Sequence, residues 1–325
     1  MTANQQTLGF PPAPRKSRKA RFLEQLNLIV PWADLIALIA PYYPPEGKRA
    51  WGGRPAYPLE VMLRIHLVQI TSNIGDLMME EFLYDVPLYR RFALLDGAAV
   101  MPEETTIMRF RHLLEKHNLA ERVFALVNAQ LEQRGLLLKR GTITDSTIVE
   151  APASTKNKEG QRDPEMHQAK KGEKWHFGAK VHNGVDAESG LVHTVVITPA
   201  NVHDVTVAGQ LLHGQEECVL GDAGYQGVEK RPENAGRQVT WLVAMRPGKR
   251  RALDKSRESG RLQEKLEKLK ASVRAKVEHP FRVLKVQFGY AKARYRGLKK
   301  NASRVLMLLA LANLWKVRKQ LMQMA

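Results

Sequence analysis

The stretch Gly141-Thr-Ile-Thr-Asp145-Ser-Thr-Ile-Val-Glu-Ala-Pro152 decides how the rest of the chain is read. β-Branched residues crowd it, and Gly141 and Pro152 bound it, so it reads as a strand. Asp145 stands in its middle. An aspartate is a poor strand former there and costly to bury without a partner, so its presence calls for chemistry rather than folding. A second carboxylate has a related setting in Cys218-Val-Leu-Gly-Asp222-Ala-Gly-Tyr-Gln-Gly227. A short apolar strand ends at Asp222, and a glycine-punctuated turn follows at once.

A third carboxylate lies in Arg274-Ala-Lys-Val-Glu278-His-Pro-Phe-Arg-Val-Leu-Lys285. Glu278 is four residues after Arg274 and seven before Lys285, offsets that return to one face of a helix. A solvated ion-pair face would show the same spacing. Pro280 argues against that simpler reading: an interior proline costs about 3 kcal/mol in a helix, and surface ion pairs are worth too little to justify it. One carboxylate within a strand, one at a strand end and one on a later helix form an oxygen-rich set suited to hard divalent ions. Without metal they would repel one another and raise their pKa values. Two Mg²⁺ ions would remove the conflict and supply a clamp for phosphoryl transfer.

Asp145, Asp222 and Glu278 together resemble the DDE triad of bacterial insertion-sequence transposases. Asp222-Ala-Gly-Tyr is similar to the family's second-aspartate motif. Arg274, Glu278 and Lys285 match three positions of its Tyr-Arg-Glu-Lys signature, with Ala271 where the tyrosine would stand. Thr106–Glu115, Ala153–Lys158, Arg162–His167, Trp175–Gly178 and Lys292–Tyr295 resemble the insertion-sequence-five family, within the wider insertion-sequence-four-like superfamily. The likeness covers roughly residues 20–315. It implies Asp145, Asp222 and Glu278 as catalytic and metal-binding residues, with two Mg²⁺ ions and Mn²⁺ able to substitute. It implies Arg274 and Lys285 as DNA-phosphate contacts, terminal inverted repeats and target DNA as partners, and a homodimer or higher synaptic oligomer.

The charge agrees with a polyanion partner. The chain of 325 residues has a net charge of +18, and the excess is uneven. Residues 244–325 hold 23 Lys and Arg against five Asp and Glu, while residues 1–243 hold 28 of each. Residues 1–21 carry five basic residues and no acid. Such one-sided charge suits nucleic acid better than a membrane. The longest apolar run, Val305–Trp315, is too short to span a bilayer. The single cysteine, Cys218, excludes an intrachain disulfide and reads as a core residue. A cytoplasmic, nucleoid-associated protein is expected.

Residues 1–20 read as a disordered basic arm. Residues 21–134 show helical apolar spacing and read as an all-α DNA-binding or dimerisation domain, with a linker at Gly52, Gly53 and Pro55. A helix from about Thr105 to His117 could read DNA through Arg109 and Arg111, as in a helix-turn-helix. His66 on an apolar face reads as a core histidine. Residues 135–325 read as the catalytic domain with a basic C-terminal segment. Ala153–Lys174 has no apolar periodicity and reads as a loop over the site. Trp175–Asp186 and Gly190–Pro199 alternate like a hairpin. His176 and Lys180 share one face of it as candidate DNA contacts, and Asp204 reads as a helix cap. Strand Glu217–Leu220 leads to Asp222. Three strands, a helix and a strand are the order of a ribonuclease-H-like α/β fold, a mixed five-stranded sheet with helices. Past Glu278, Lys292, Arg294 and Arg296 alternate with aromatic residues, a pattern suited to phosphates and bases. A zinc site is not expected from the histidine spacings. Two other readings use the same residues: a nuclease or resolvase of this fold that cuts without joining, and a transposase-derived DNA-binding regulator.

Overall fold

The computed structural model describes residues 16–45, 55–158 and 160–324. Residues 1–15 of the expected basic arm, and Gly52 and Gly53 of the expected linker, lie outside the described residues.

Seven helices come first among the described residues: α1 (Arg18–Ile29), α2 (Trp32–Ile39), α3 (Leu59–Thr71), α4 (Asp76–Asp85), α5 (Pro87–Phe92), α6 (Glu104–Lys116) and α7 (Leu119–Gln133). Ser17 caps α1 by accepting the Ala20 N–H at 3.0 Å, which satisfies one orphan donor of the first turn. Helix α3 is buried from Val61 to Thr71, so it is the axis around which the others pack. Its buried arginine is paired. Arg64 donates to Glu60 and Asn27 at 2.8 Å each and lies 4.0 Å from the Trp32 ring centre.

The sheet follows: β1 (Gly141–Glu150), β2 (His167–Lys171), β3 (Lys174–Asp186), β4 (Val192–Pro199), β5 (Cys218–Gly221) and β6 (Thr240–Val243), with the short helix α8 (Asp204–Val207) before β5. Strand β1 is central. It pairs antiparallel with β3 and parallel with β5, and β5 pairs parallel with β6. β4 lies antiparallel along β3. These five strands and their order are those of the ribonuclease-H-like fold. The sixth strand, β2, corrects the expected count: part of the anticipated loop is a strand paired with residues 174–178 of β3. It escaped the sequence pattern because four of its five residues are exposed, so neither face is apolar and no alternation exists to read.

The remaining helices are α9 (Pro247–Arg251), α10 (Glu258–Arg274), α11 (Glu278–Arg282), α12 (Leu298–Lys316) and α13 (Arg318–Met324). Apolar α12 packs on the sheet and on α7. One core runs without a break from Leu26 and Leu63 through Val127 to Val181, Leu284 and Leu308. Asn313 on α12 sits inside it. Its side chain donates to Asn128 on α7 at 2.8 Å and to the Val192 carbonyl on β4 at 2.7 Å, and accepts the Val192 N–H at 2.9 Å.

Candidate active site

The sheet register sets the first two carboxylates together. β1 and β5 pair Ile143 with Leu220. Carried two residues further, that register brings Asp145 beside Asp222, on strands about 4.8 Å apart. β5 ends at Gly221, so Asp222 stands where the strand gives way to a 3₁₀ turn, Ala223–Tyr225. The turn holds the carboxylate: Gly224 N–H donates to Asp222 Oδ1 at 2.8 Å. Tyr225 is buried beneath, so close to Gly221 that an added Cβ would stand 3.0 Å from the tyrosine Cβ. A side chain at 221 would lift the turn.

Glu278 arrives from the other side. After α10 the chain passes through a 3₁₀ turn (Ala275–Val277), α11 and a π-helical turn (Val283–Gln287). Pro280 is the reason for this broken helix, since it can give no N–H to a regular α ladder. Buried Val277, Phe281 and Leu284 press the segment onto the core, while Glu278 stays exposed.

Charge joins the three groups. Burial pushes the Asp145 carboxyl up to about 6. Donation from the Ser146 N–H opposes this, the Asp222 and Glu278 charges add to it, and Arg274 lowers it. Arg274 Nε is buried and, among the described residues, has no hydrogen-bond partner. Lys285 is half-buried and donates to the Ile148 carbonyl of β1 at 2.6 Å. Its pKa is lowered by burial and by the charge of Lys171.

Several candidate DNA-binding residues turn out to have structural partners. Arg111 is a correction: it is buried, donating to Asp76 and Glu115 at 2.9 Å each with its guanidinium over the Tyr295 ring. It lies on the apolar face of α6 with Ile107 and Leu114, where it cannot meet DNA. Arg109 on the same helix is exposed. Lys180 is partly buried. It shares a face with His176, but its ammonium donates to the Val202 carbonyl at 2.7 Å and to Asp204 at 3.0 Å. Asp204 in turn is not the cap; His203 holds that position, and Asp204 is the first helical residue, 3.6 Å from His182 Nδ1. His182, weighed in the sequence only among the histidines without zinc spacing, is fully buried and donates to or accepts from Thr198 at 2.9 Å. Its alternation with Lys180 along β3 was the available signal.

His176 bonds Glu150 at 2.9 Å. Residues 291–293 bond the backbone of Glu150 on the open edge of β1, which presents Lys292 to solvent. Arg294 bonds Asn73 after α3. Arg296 is exposed. Ala271 is exposed on α10.

Residues 137–314 match the family described as "Transposase DDE domain". The chain belongs to the DDE transposase family. Residues 13–113 of the transposase match a second family, "Transposase domain (DUF772)". No solved structure matches it. The family as a whole cuts DNA with the help of divalent metal. Among the described residues, no three His, Cys, Asp or Glu side chains are gathered closely enough to hold an ion. The donors are of the right kind: carboxylates whose repulsion adds to burial in raising the Asp145 pKa, and which a cation would relieve. No single helix among the described residues is long and apolar enough to cross a membrane.

Proposed function

We propose that this transposase belongs to the insertion-sequence-five type, binds the terminal inverted repeats of its element, and carries out both strand cleavage and strand transfer. Asp145, Asp222 and Glu278 would hold two Mg²⁺ ions, with Mn²⁺ able to substitute. The observation that carries this reading is the β1–β5 register, which sets Asp145 beside Asp222, with the charge of Glu278 reaching Asp145. Bound metal would activate the attacking oxygen, water and then a DNA 3′-hydroxyl, and steady the leaving oxygen.

The protein's own groups do the rest. Gly224 N–H fixes the Asp222 carboxylate. Ser146 N–H fixes that of Asp145. Arg274, with a buried N–H that has no partner among the described residues, offers a charged donor to a phosphate near the cut. Lys285, held against β1, adds positive charge there at short range. Residues 21–134 serve as the DNA-binding or dimerisation part, and 135–325 as the catalytic part. Holding two element ends at once requires at least a dimer, acting on bacterial DNA in the cytoplasm.

The test is a labelled duplex bearing the element's own end, incubated with Mg²⁺. Wild type is expected to nick it and then join the freed end to target DNA. Glu278→Gln is expected to lower cutting at least ~100-fold with DNA affinity changed less than about threefold, as for removal of a group that acts only in the reaction. Loss of binding together with cutting would refute the assignment of Glu278. Nicking without joined product would instead favour a nuclease.

A further inference from the structure

The β2–β3 ribbon stands beyond the sheet. β1 pairs with β3 only as far as Gly178, and β4 only as far as Ala179. The Phe177 carbonyl still accepts the Ala151 N–H at 2.7 Å, so residues 174–176 of β3 have β2 as their sole ladder partner among the described strands. At about 3.3 Å per residue, a two-stranded finger of roughly 10 Å projects from the sheet. Its tip is Lys171-Gly172-Glu173-Lys174, with Gly172 at φ +62° making the turn.

The finger is dressed for a polyanion. Lys170, Lys171 and Lys174 are exposed, and Glu173 is the single acid between His167 and His176. The register places Lys171, Lys174 and His176 on one face, and Lys170 with Trp175 on the other. Trp175 is 66% exposed, next to the tip, where it contributes nothing to the core. A solvent-facing tryptophan costs hydrophobic free energy that only a partner restores.

The finger is also continuous with the candidate site. His176 bonds Glu150 at the end of β1, and the charge of Lys171 reaches Lys285. A duplex cut at the carboxylates and lying along Lys285 meets the finger next. Size selects the groove. Two strands about 4.8 Å apart, with side chains on both faces, suit a major groove of about 12 Å and are too wide for a minor groove of about 6 Å.

We propose that the β2–β3 ribbon is a DNA-reading finger that enters the major groove beside the cleavage point. The lysines take flanking phosphates, and Trp175 packs against base edges. This proposal rests on the transposase reading above but adds an element that the reading does not need.

The experiment compares wild type, Lys170→Gln/Lys171→Gln/Lys174→Gln and Trp175→Ala on the element's end and on random duplex. All four positions are exposed, so the fold should survive, and circular dichroism checks it. The triple variant is expected to bind both duplexes roughly tenfold more weakly, and the slope of log K against log salt should fall by about 0.9 for each phosphate that the missing lysines no longer neutralise. Trp175→Ala is expected to lose preference for the element's end, and to expose guanine N7 in the major groove beside the cut to methylation that wild type blocks. Unchanged affinity, slope and protection in both variants, with wild type still cutting, would overturn the finger alone. A wild type that neither binds nor cuts the end would overturn the transposase reading with it.

Discussion

Asp145 is kept at a cost to the fold. Its carboxyl titrates near 6 in the folded protein against an ordinary value of 3.8. Folding therefore favours its protonated form. The stability this group lends is complete below about pH 3.8 and lost as pH rises through about 6, leaving a penalty of up to about 3 kcal/mol at neutral pH. In metal-free protein, Asp145→Asn is expected to melt above wild type at pH 7.5, with the gap closing by pH 4, while cutting disappears. Equal melting temperatures across that range would show that the carboxylate is not strained. Added Mg²⁺ should raise the melting point of wild type and not that of the variant.

At the scale of elements, Gly178 is the tightest joint between β1 and β3. A Cβ there would stand 2.1 Å from the Val149 carbonyl oxygen and 3.0 Å from the Ala151 nitrogen. Gly178→Ala must push the strands apart, at about 3 kcal/mol. Urea unfolding would measure this, and a change below about 1 kcal/mol would contradict the pairing described. The elements also show what a sequence discloses. β1 and the turn after β5 were legible because a carboxylate among β-branched or apolar residues violates the local pattern, and violations can be read locally. The break in the helical segment around α11 was legible through Pro280. The partners of Arg111 and Lys180 were not. Asp76 is 35 residues from Arg111 and Asp204 is 24 from Lys180, and each basic residue alone looks like any surface cation. β2 was hidden for the opposite reason, being exposed on both faces.

Across the whole molecule, the expected division near residue 134 does not divide the core. The same apolar interior serves α1, α3 and α7 on one side and β1, β3 and α12 on the other. Asn313 is its polar rivet. Asn313→Ala would leave Asn128 and both backbone groups of Val192 buried without that partner, costing about 3 kcal/mol. Calorimetry is expected to show a single unfolding transition, in wild type and in this variant at a lower temperature. Two separate transitions would mean that the helical part and the sheet fold independently.

The position of α12 has a consequence in time. α7 ends at Gln133, and the helix that completes its packing ends at Lys316, some 180 residues later. At roughly 5–20 residues per second of synthesis, the first helices wait about 10–40 s for their last neighbour. Throughout that interval the emerging chain exposes the apolar faces of α3 and α7, and a ribosome that stalls before α12 has emerged releases a chain that cannot close its interior. Chaperone demand should therefore peak late in translation, when most of the protein already exists.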